Sequence, residues 1–437
     1  MRLSIFALLW LVASGALAEP ESLRLGDILR LARAADARFA SARAAADAGR
    51  EKLPQARAGL LPTLNLTHSG RHNSDGSTLF PGTKVYDAGG TSLLLSQPLF
   101  RRVAVLGIAQ AEFQVQLSLQ QLAQAEQDLL LRVARGYFDV LQAGDELTAA
   151  RAQQDALTQQ LAQAKRAFEV GTVPITDWNE AQARFDLAQA QEIAAGNELE
   201  SKKRVLERSI AVPLPPLAQL RDEAGVEWLS QSQLAALVQD APNTALPVQF
   251  GRLQLQVADK EVERRQASHE PTVDAVASLS SSRNVNYGAA GGSNTRQLSI
   301  GLEVSLPLFQ GGAIDSRIRE ALADKRRATE DLTEAERQAR LDAQQAQLGV
   351  LSGAALTRAL RQAVSSSQTQ LRSTQRGLEV GIRTQVDLLN AEQQLYATRK
   401  DLAAARYRTL LAGLQLKAVA GQLRDTDLRA LDAMLGD

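Results

Sequence analysis

The feature that most constrains the fold is an internal repeat that occupies most of the chain. The segment Leu61-Pro62-Thr63-Leu64 has a counterpart 209 residues later, Glu270-Pro271-Thr272-Val273. A Pro-Leu-Phe corner at 98–100 recurs at 307–309 with the same offset, and a Glu-Val-Gly turn recurs with an offset of 210. Landmarks that share one spacing indicate two copies of one structural unit. We place repeat 1 at 19–220 and repeat 2 at 221–437, with a proline-rich linker at 212–216.

Each unit contains a segment with the two-residue period of a β-strand. In the second unit, apolar residues alternate with polar or small ones, as Leu298, Ile300, Leu302, Val304 and Leu306. Leu64 and Leu66 alternate in the same way in the first unit. We therefore predict a helix followed by a β-hairpin in each repeat, with the hairpins at about 62–99 and 271–308. The stretches 69–90 and 280–295 are rich in Gly, Ser and Asn, which predicts exposed loops between the strands.

Outside the hairpins the sequence predicts very long helices. No proline occurs from 99 to 173 or from 308 to the C-terminus, and a helix of about 70 residues would be about 100 Å long. Apolar and small residues step by three and four from Leu388 to Leu423, and the same register runs from Trp178 to Leu206 with polar lapses at Glu192 and Lys202. This seam is typical of coiled-coil helices, although an ordinary helical bundle core also fits it.

The repeated Val-Gly dipeptides mark turns between helices, at 170–177 and 380–387. Gly171 and Gly381 suit the left-handed residue that follows a helix. Asp177 and Asp387 would then lie in the first turn of the returning helix, where an acidic side chain is stabilised by the helix dipole. Thr384 and Asp387 have the spacing of a capping box, with Asp where Glu or Gln is usual.

The N-terminus predicts export. Arg2 precedes an apolar run, and Ala16-Leu17-Ala18 is typical of a cleavage site, so residues 1–18 are interpreted as a signal peptide. Equal numbers of basic and acidic residues, 49 of each, argue against a nucleic-acid partner. The chain has no Cys and three His, which leaves little for metal binding or catalysis, so we expect no enzyme, no catalytic residue, no metal and no cofactor.

Exported strands of about ten residues suggest a barrel in the outer membrane. Open sheet edges are not tolerated in hydrocarbon, and four strands are fewer than the eight of the smallest single-chain barrels. A barrel therefore requires several copies, and three copies would supply twelve strands. Phe100 and Phe309 would lie at the membrane interface. A water-exposed hairpin pair capping a soluble bundle remains an alternative.

The residues that carry this pattern resemble the TolC family of outer-membrane exit ducts over essentially the whole mature chain. The most specific stretches are Ser305 to Gly312, Val380 to Ala391 and Ala403 to Leu423, taken together with the duplicated hairpin. The resemblance implies an α+β membrane protein, a homotrimer whose 12-stranded β-barrel continues into a long periplasmic α-helical coiled-coil barrel. It also implies a location in the outer membrane, in contact with outer-membrane lipid and extending into the periplasm.

In such a system the duct conducts drugs or secreted polypeptides passively, in efflux or type I secretion. Its implied partners are a periplasmic adaptor protein and an inner-membrane pump of the ABC, RND or MFS type. The resemblance places the adaptor and pump contacts at the two helical turns, on Val170, Gly171, Thr172, Val380, Gly381 and Ile382. The duct itself would hydrolyse nothing.

The resemblance also implies a constricted entrance. Asp387 matches the first of two family aspartates at the constriction, whereas Asn390 stands at the second, so three carboxylates are expected in the trimer instead of six. Asp177 and Arg383 match a closed-state latch, with Leu378 in place of the family tyrosine. Capping of a helix is the structural alternative for both aspartates.

Two other function classes share the strand pattern. One is a secreted coiled-coil structural or adhesive protein, and the other is a pore-forming toxin that inserts a composite barrel. Neither accounts as well for the duplicated Val-Gly turns. His68 and His72, four residues apart on one strand face, are interpreted as surface or lumen residues because no acidic cluster accompanies them.

Overall fold

The structure is a computed structural model and describes residues 22–76, 83–221, 228–284 and 293–436. The predicted signal peptide at 1–18 and the Gly-rich run at 288–292 lie outside the described residues. Two similar units are evident in the element order, each consisting of short helices, a pair of strands and two long helices. The predicted internal repeat is confirmed.

In both units short helices precede a strand pair and two long helices, but within the described ranges the first unit begins with three short α-helices, whereas the second begins with two and ends with another. In the first unit they are α1 (Leu25–Ala35), α2 (Ala37–Arg50), α3 (Lys52–Ala58), β1 (Thr63–Gly76), β2 (Thr83–Phe100), α4 (Arg102–Glu169) and α5 (Ile175–Ile210). In the second unit they are α6 (Gln231–Thr244), α7 (Leu246–Gln266), β3 (Thr272–Asn284), β4 (Ser293–Ser305), α8 (Ala313–Glu379), α9 (Gln385–Val419) and α10 (Asp425–Asp432).

The helices α4 and α8 are unbroken over 68 and 67 residues, or about 100 Å each. Each packs against the helix that returns from its turn, α4 with α5 and α8 with α9. The predicted seam on α9 is buried or partly buried from Leu388 to Val419, where the helix ends before Leu423. The two polar lapses on α5 are ion-paired: Glu192 lies 3.1 Å from Arg151, and Lys202 lies 3.9 Å from Asp139 on α4.

The four strands form one antiparallel sheet in the order β1-β2-β3-β4. Consecutive strands pair in register, for example Leu66 with Leu93, Leu93 with Leu279 and Leu279 with Leu298. Because strand side chains alternate between faces, these leucines share one face, here called the apolar face. Within the described residues, β1 and β4 are the two edges of the sheet.

The predicted loops of the hairpins are wrong over much of their length. Residues 69–76 and 83–90 belong to β1 and β2, and residues 280–284 and 293–295 belong to β3 and β4. The Gly, Ser and Asn residues in these stretches are paired across strands, as Gly70 is with Gly89. The strands are therefore 13 to 18 residues long, longer than the ten predicted.

The main hydrophobic core lies midway along the long helices, where α1 packs on α4, α5 and α10, and residues of α9 belong to the same cluster. Tyr137 and Phe138 of α4 and Tyr407 of α9 form an aromatic cluster there. The Tyr137 hydroxyl donates to the carbonyl of Ala218 at 2.7 Å, and burial raises the pKa of this phenol. This core fixes the long helices at their middle and leaves their lower ends as two projecting hairpins.

None of the helices in the described part of the chain has both the length and the apolarity needed to cross a lipid bilayer.

Candidate functional site at the ends of the helical hairpins

Both helical hairpins end in the same hydrogen-bonded turn. At the end of α4, the amide of Gly171 donates to Phe168 at 2.9 Å, and that of Thr172 donates to Ala167 at 2.9 Å. At the end of α8, Gly381 donates to Leu378 at 3.0 Å, and Ile382 donates to Gly377 at 2.8 Å. This pair of bonds is the Schellman motif, which requires a left-handed residue after the helix.

The two glycines satisfy that requirement, with φ of 77° at Gly171 and 75° at Gly381. A side chain is strained at such φ values, so the sequence prediction for both turns is confirmed. The turns reverse the chain within five residues and set the return helices α5 and α9 against α4 and α8.

Asp387 caps the start of α9. Its amide donates to Thr384 Oγ1 at 3.2 Å, and its Oδ2 accepts the Thr384 amide at 3.0 Å, which confirms the predicted capping box. The hydrogen bonds that the Asp387 carboxyl accepts from the backbone and side chain of Thr384, with a smaller contribution from the positive charge of Arg383, lower its pKa. Asp387 therefore carries a full negative charge at neutral pH.

Asp177 lies at the corresponding place on α5, but its surroundings differ. The residue at the N-cap is Pro174, which has no side-chain acceptor, and Asp177 Oδ1 instead accepts a hydrogen bond from the Thr176 hydroxyl at 3.3 Å. Within the described part of this single chain, Asp177 and Arg383 form no ion pair. Arg383 extends over α8, where its Cγ is only 2.7 Å from the place that a Cβ on Gly377 would occupy. The predicted latch stays a prediction about the assembled protein.

A contact that sequence reasoning missed joins the two hairpins. Arg184 of α5 donates through Nη2 to Asn390 Oδ1 at 2.9 Å and through Nη1 to Gln393 Oε1 at 3.3 Å, both on α9. The same guanidinium holds Glu180 on its own helix at 2.9 Å. Asn390, predicted at the constriction, is thus half of a junction between the hairpins. The signal available in the sequence was the seven-residue spacing of Arg184 from Asp177, which places both on one side of α5.

Next to this junction, the two hairpins also make an apolar contact and a further polar contact. Leu157 of α4, Ala188 of α5 and Leu389 of α9 form a small buried cluster. Beside it, the Gln160 amide donates to the carboxyl of Glu392, whose pKa is raised by burial. A cavity of about 240 Å³ lies among α4, α5 and α9 at this level. The two hairpins are therefore in contact over a limited, partly polar area.

The extreme ends of the hairpins expose apolar side chains. Val170 is 73% exposed, Val380 is 66% exposed and Ile382 is 79% exposed, and Gly171, Thr172 and Gly381 beside them are also exposed. On the first hairpin only, Phe168 stacks on Trp178 with ring centres 6.0 Å apart. Exposed apolar groups grouped at one end of an elongated molecule are typical of a protein-binding surface.

At the opposite end of the molecule, the apolar face of the sheet is exposed in the single chain. Ile300 is 79% exposed and Leu302 is 69% exposed, with Leu64, Leu66, Leu298 and Val304 similar. The other face carries Asn, Ser, Thr and Glu side chains at the alternate positions. One apolar and one polar face are what a strand between lipid and an aqueous lumen requires.

Comparison with known proteins assigns the chain to a family. The family model described as outer membrane efflux protein matches twice, at residues 28–211 and 237–422. The outer membrane protein TolC of Vibrio cholerae is 32% identical over 413 residues, covering 94% of this chain and 93% of that protein. The alkaline protease secretion protein AprF of Pseudomonas aeruginosa is 33% identical, covering 94% of this chain and 87% of that protein.

Among solved structures, the Campylobacter jejuni CmeC outer membrane channel superposes with a TM-score of 0.76 over 99% of this chain and 97% of that one, at 14% identity. This likeness shows a shared fold. The two family matches coincide with the two structural units, each containing a strand pair and a long helical hairpin. The chain is therefore a member of the outer membrane efflux protein family, a TolC-like exit duct of the outer membrane.

Proposed function

We propose that three copies of this chain close into one duct, which conducts drugs or secreted polypeptides from a pump and adaptor complex to the exterior. The observation that carries this proposal is the four-stranded sheet with one exposed apolar face and two open edges. Its edge strands β1 and β4 are complementary in direction, because β4 of one copy would lie antiparallel to β1 of the next. Three sheets of four strands give a barrel of twelve.

The helices extend the duct away from the membrane. All four strands join helices at the same end of the sheet, so α4, α5, α8 and α9 project to the periplasmic side. The helices α4 and α8 are about 100 Å long, several times the thickness of a bilayer core, and α5 and α9 are about half that length. Three copies would supply twelve helical segments around one axis. The duct performs no chemistry of its own, and the pump supplies the energy.

The entrance lies at the ends of the two helical hairpins. Asp387 is ionised there, so three copies would place three carboxylates around the axis, which attract cations and slow large anions. Asn390 is neutral and engaged by Arg184. We infer that Asp177 of one copy and Arg383 of its neighbour are the closed-state latch, since the two do not pair within one chain.

The apolar ends of the hairpins bind the adaptor and pump. Val170, Gly171 and Thr172 on one hairpin, and Val380, Gly381 and Ile382 on the other, present two similar turns. The cargo class follows the pump: AprF is named for secretion of an alkaline protease, whereas the family model is named for efflux.

The proposal is tested by fractionating cells that produce the full chain. We expect detergent-resistant trimers in the outer membrane, and soluble oligomers in the medium would contradict the duct. Deleting the gene and scoring drug sensitivity beside protein secretion separates the two cargo classes. In planar bilayers, Arg383→Ser should raise single-channel conductance, and unchanged conductance would contradict the latch.

A further inference from the structure

The apolar face of the sheet ends in a set of cationic side chains. Following the register from Leu298 through Leu279 and Leu93 to Leu66 gives one row of leucines across all four strands. Two residues farther from the helices, the next row on this face consists of Arg296, Ser281, Thr91 and His68. The row beyond it contains Arg283, paired with Gly89 on one side and Asn294 on the other.

Neither arginine is paired with a carboxylate among the described residues. Arg283 and Arg296 are exposed, and neither forms a hydrogen bond or ion pair with another of the described residues. Among the described residues, these two rows contain no carboxylate; Asp87 lies in the next row on this face, 2.7 Å from the Nδ1 atom of His72. Just beyond the leucines, this face therefore carries two arginines that have no ion-pair partner among the described residues.

At the other end of the sheet, next to the helices, the arginines form ion pairs. Arg101 there is held by both carboxylate oxygens of Asp274 at 2.8 Å, and Arg102 lies 3.2 Å from Glu270. Arg101 and Arg102, nearest the helices, are thus paired inside the chain, whereas Arg283 and Arg296 have no such partner among the residues that the structure describes. This asymmetry indicates that the far end meets negative charge supplied from outside the protein.

The position of these arginines identifies the source of that charge. Arg296 is two residues beyond Leu298 on the same face, about 7 Å along the strand, and Arg283 is one further step away. A charged side chain on the lipid face is costly in hydrocarbon but tolerated at the interface. Arg296 and Arg283 consequently lie at the level of lipid headgroups and point toward the lipid.

We propose that Arg283 and Arg296 bind the phosphate groups of the phosphorylated glycolipid in the outer leaflet of the membrane. Arginine presents a planar fork of donors that matches phosphate. The inference rests on the proposed trimer in the outer membrane, in which β4 of one copy is next to β1 of another and brings Arg296 toward the edge that carries His68. Two arginines in each of three copies form a ring of six around the outer rim of the barrel.

The experiment compares glycolipid binding by the full-length trimer and its variants. Protein is reconstituted in phosphatidylcholine vesicles that contain increasing amounts of lipid A, and the lipid A bound per chain is measured by native mass spectrometry. The test variant is R283Q/R296Q, and R283K/R296K keeps the charge. Arg71→Gln is the matched control, because Arg71 lies on the opposite face of β1 next to Gly70, at the height of Arg283. Strand content is compared by circular dichroism.

We expect the wild type to bind lipid A and R283Q/R296Q to bind it more weakly by about fivefold for each arginine removed. R283K/R296K should retain most of the binding, Arg71→Gln should retain all of it, and added salt should weaken it. Equal binding by wild type and R283Q/R296Q overturns the proposal, as does an equal loss in Arg71→Gln, which would indicate general attraction to the chain. Failure of the wild type to insert into vesicles with or without lipid A would instead contradict the proposed function as an outer-membrane duct.

Discussion

Replacing Arg184 with Gln should loosen the junction between the two helical hairpins. The guanidinium makes two hydrogen bonds to α9, at 2.9 Å to Asn390 and 3.3 Å to Gln393. A hydrogen bond from a charged donor contributes about 1.5–3 kcal/mol when buried. The Arg184 side chain is 24% exposed, but Asn390 is exposed and the second bond is long, so we expect a loss of about 1 kcal/mol per chain for the pair. That corresponds to about a fivefold shift toward separated hairpins.

Single-channel recording in planar bilayers measures the consequence. Separated hairpins widen the periplasmic entrance, so Arg184→Gln should raise the conductance of the closed channel and the fraction of time spent open. Arg204→Gln is the matched control on the same helix, because Arg204 is paired with Glu207 of α5 and is 74% exposed. The variant Asn390→Ala should reproduce much of the effect, and adding it to Arg184→Gln should change little more. Identical recordings from wild type and Arg184→Gln, or an equal effect of Arg204→Gln, would refute the role of this junction.

Three further predictions concern the hairpin ends. Gly381→Ala should lower stability by about 1 kcal/mol because φ is 75° there, whereas Gly107→Ala, inside α4 with open space at its Cβ, should raise it slightly in the same thermal unfolding assay. Asp387→Asn should weaken block of the channel by divalent and trivalent cations several-fold, and unchanged block would show that Asp387 does not face the pore. Burial raises the pKa of Glu392 above its ordinary 4.5, which means that the folded protein favours the protonated carboxyl. The contribution of this group to the stability of the fold is therefore lost as pH rises through the raised pKa. Glu392→Gln should therefore melt at a higher temperature than wild type at neutral pH, and this difference should vanish in acid.

The sequence predicts features of this fold that follow from local chemistry. The Val-Gly turns were predictable because the left-handed residue of a Schellman motif favours Gly, and Gly171 and Gly381 both adopt it. The capping box of Thr384 and Asp387 was predictable from spacing alone. The long helices were predictable because no proline interrupts either segment and the seam keeps one register over ten turns.

The strand ends and the hairpin junction could not be predicted from the sequence, and the reason differs between the two. Residues such as Gly70 and Gly89 have the composition of a loop, but antiparallel pairing satisfies their backbone groups and overrides their weak strand preference. Arg184 and Asn390 are 206 residues apart, and the repeat offers no guide, since the residue that corresponds to Arg184 is Gln394. Docking of α10 against α1, with Asp432 accepting the Gly26 amide at 3.2 Å, likewise depends on tertiary packing.

Two uncovered borders on the sheet also determine how the protein reaches its membrane. A lone copy entering hydrocarbon would carry unpaired backbone groups along β1 and β4, each at a cost of several kcal/mol. Insertion is therefore coupled to association, and its rate should rise more steeply than in proportion to the concentration of chains. Before the ring is complete, the same edges can pair with other strands incorrectly. Folding of the sheet is therefore expected to depend on association with the other two copies.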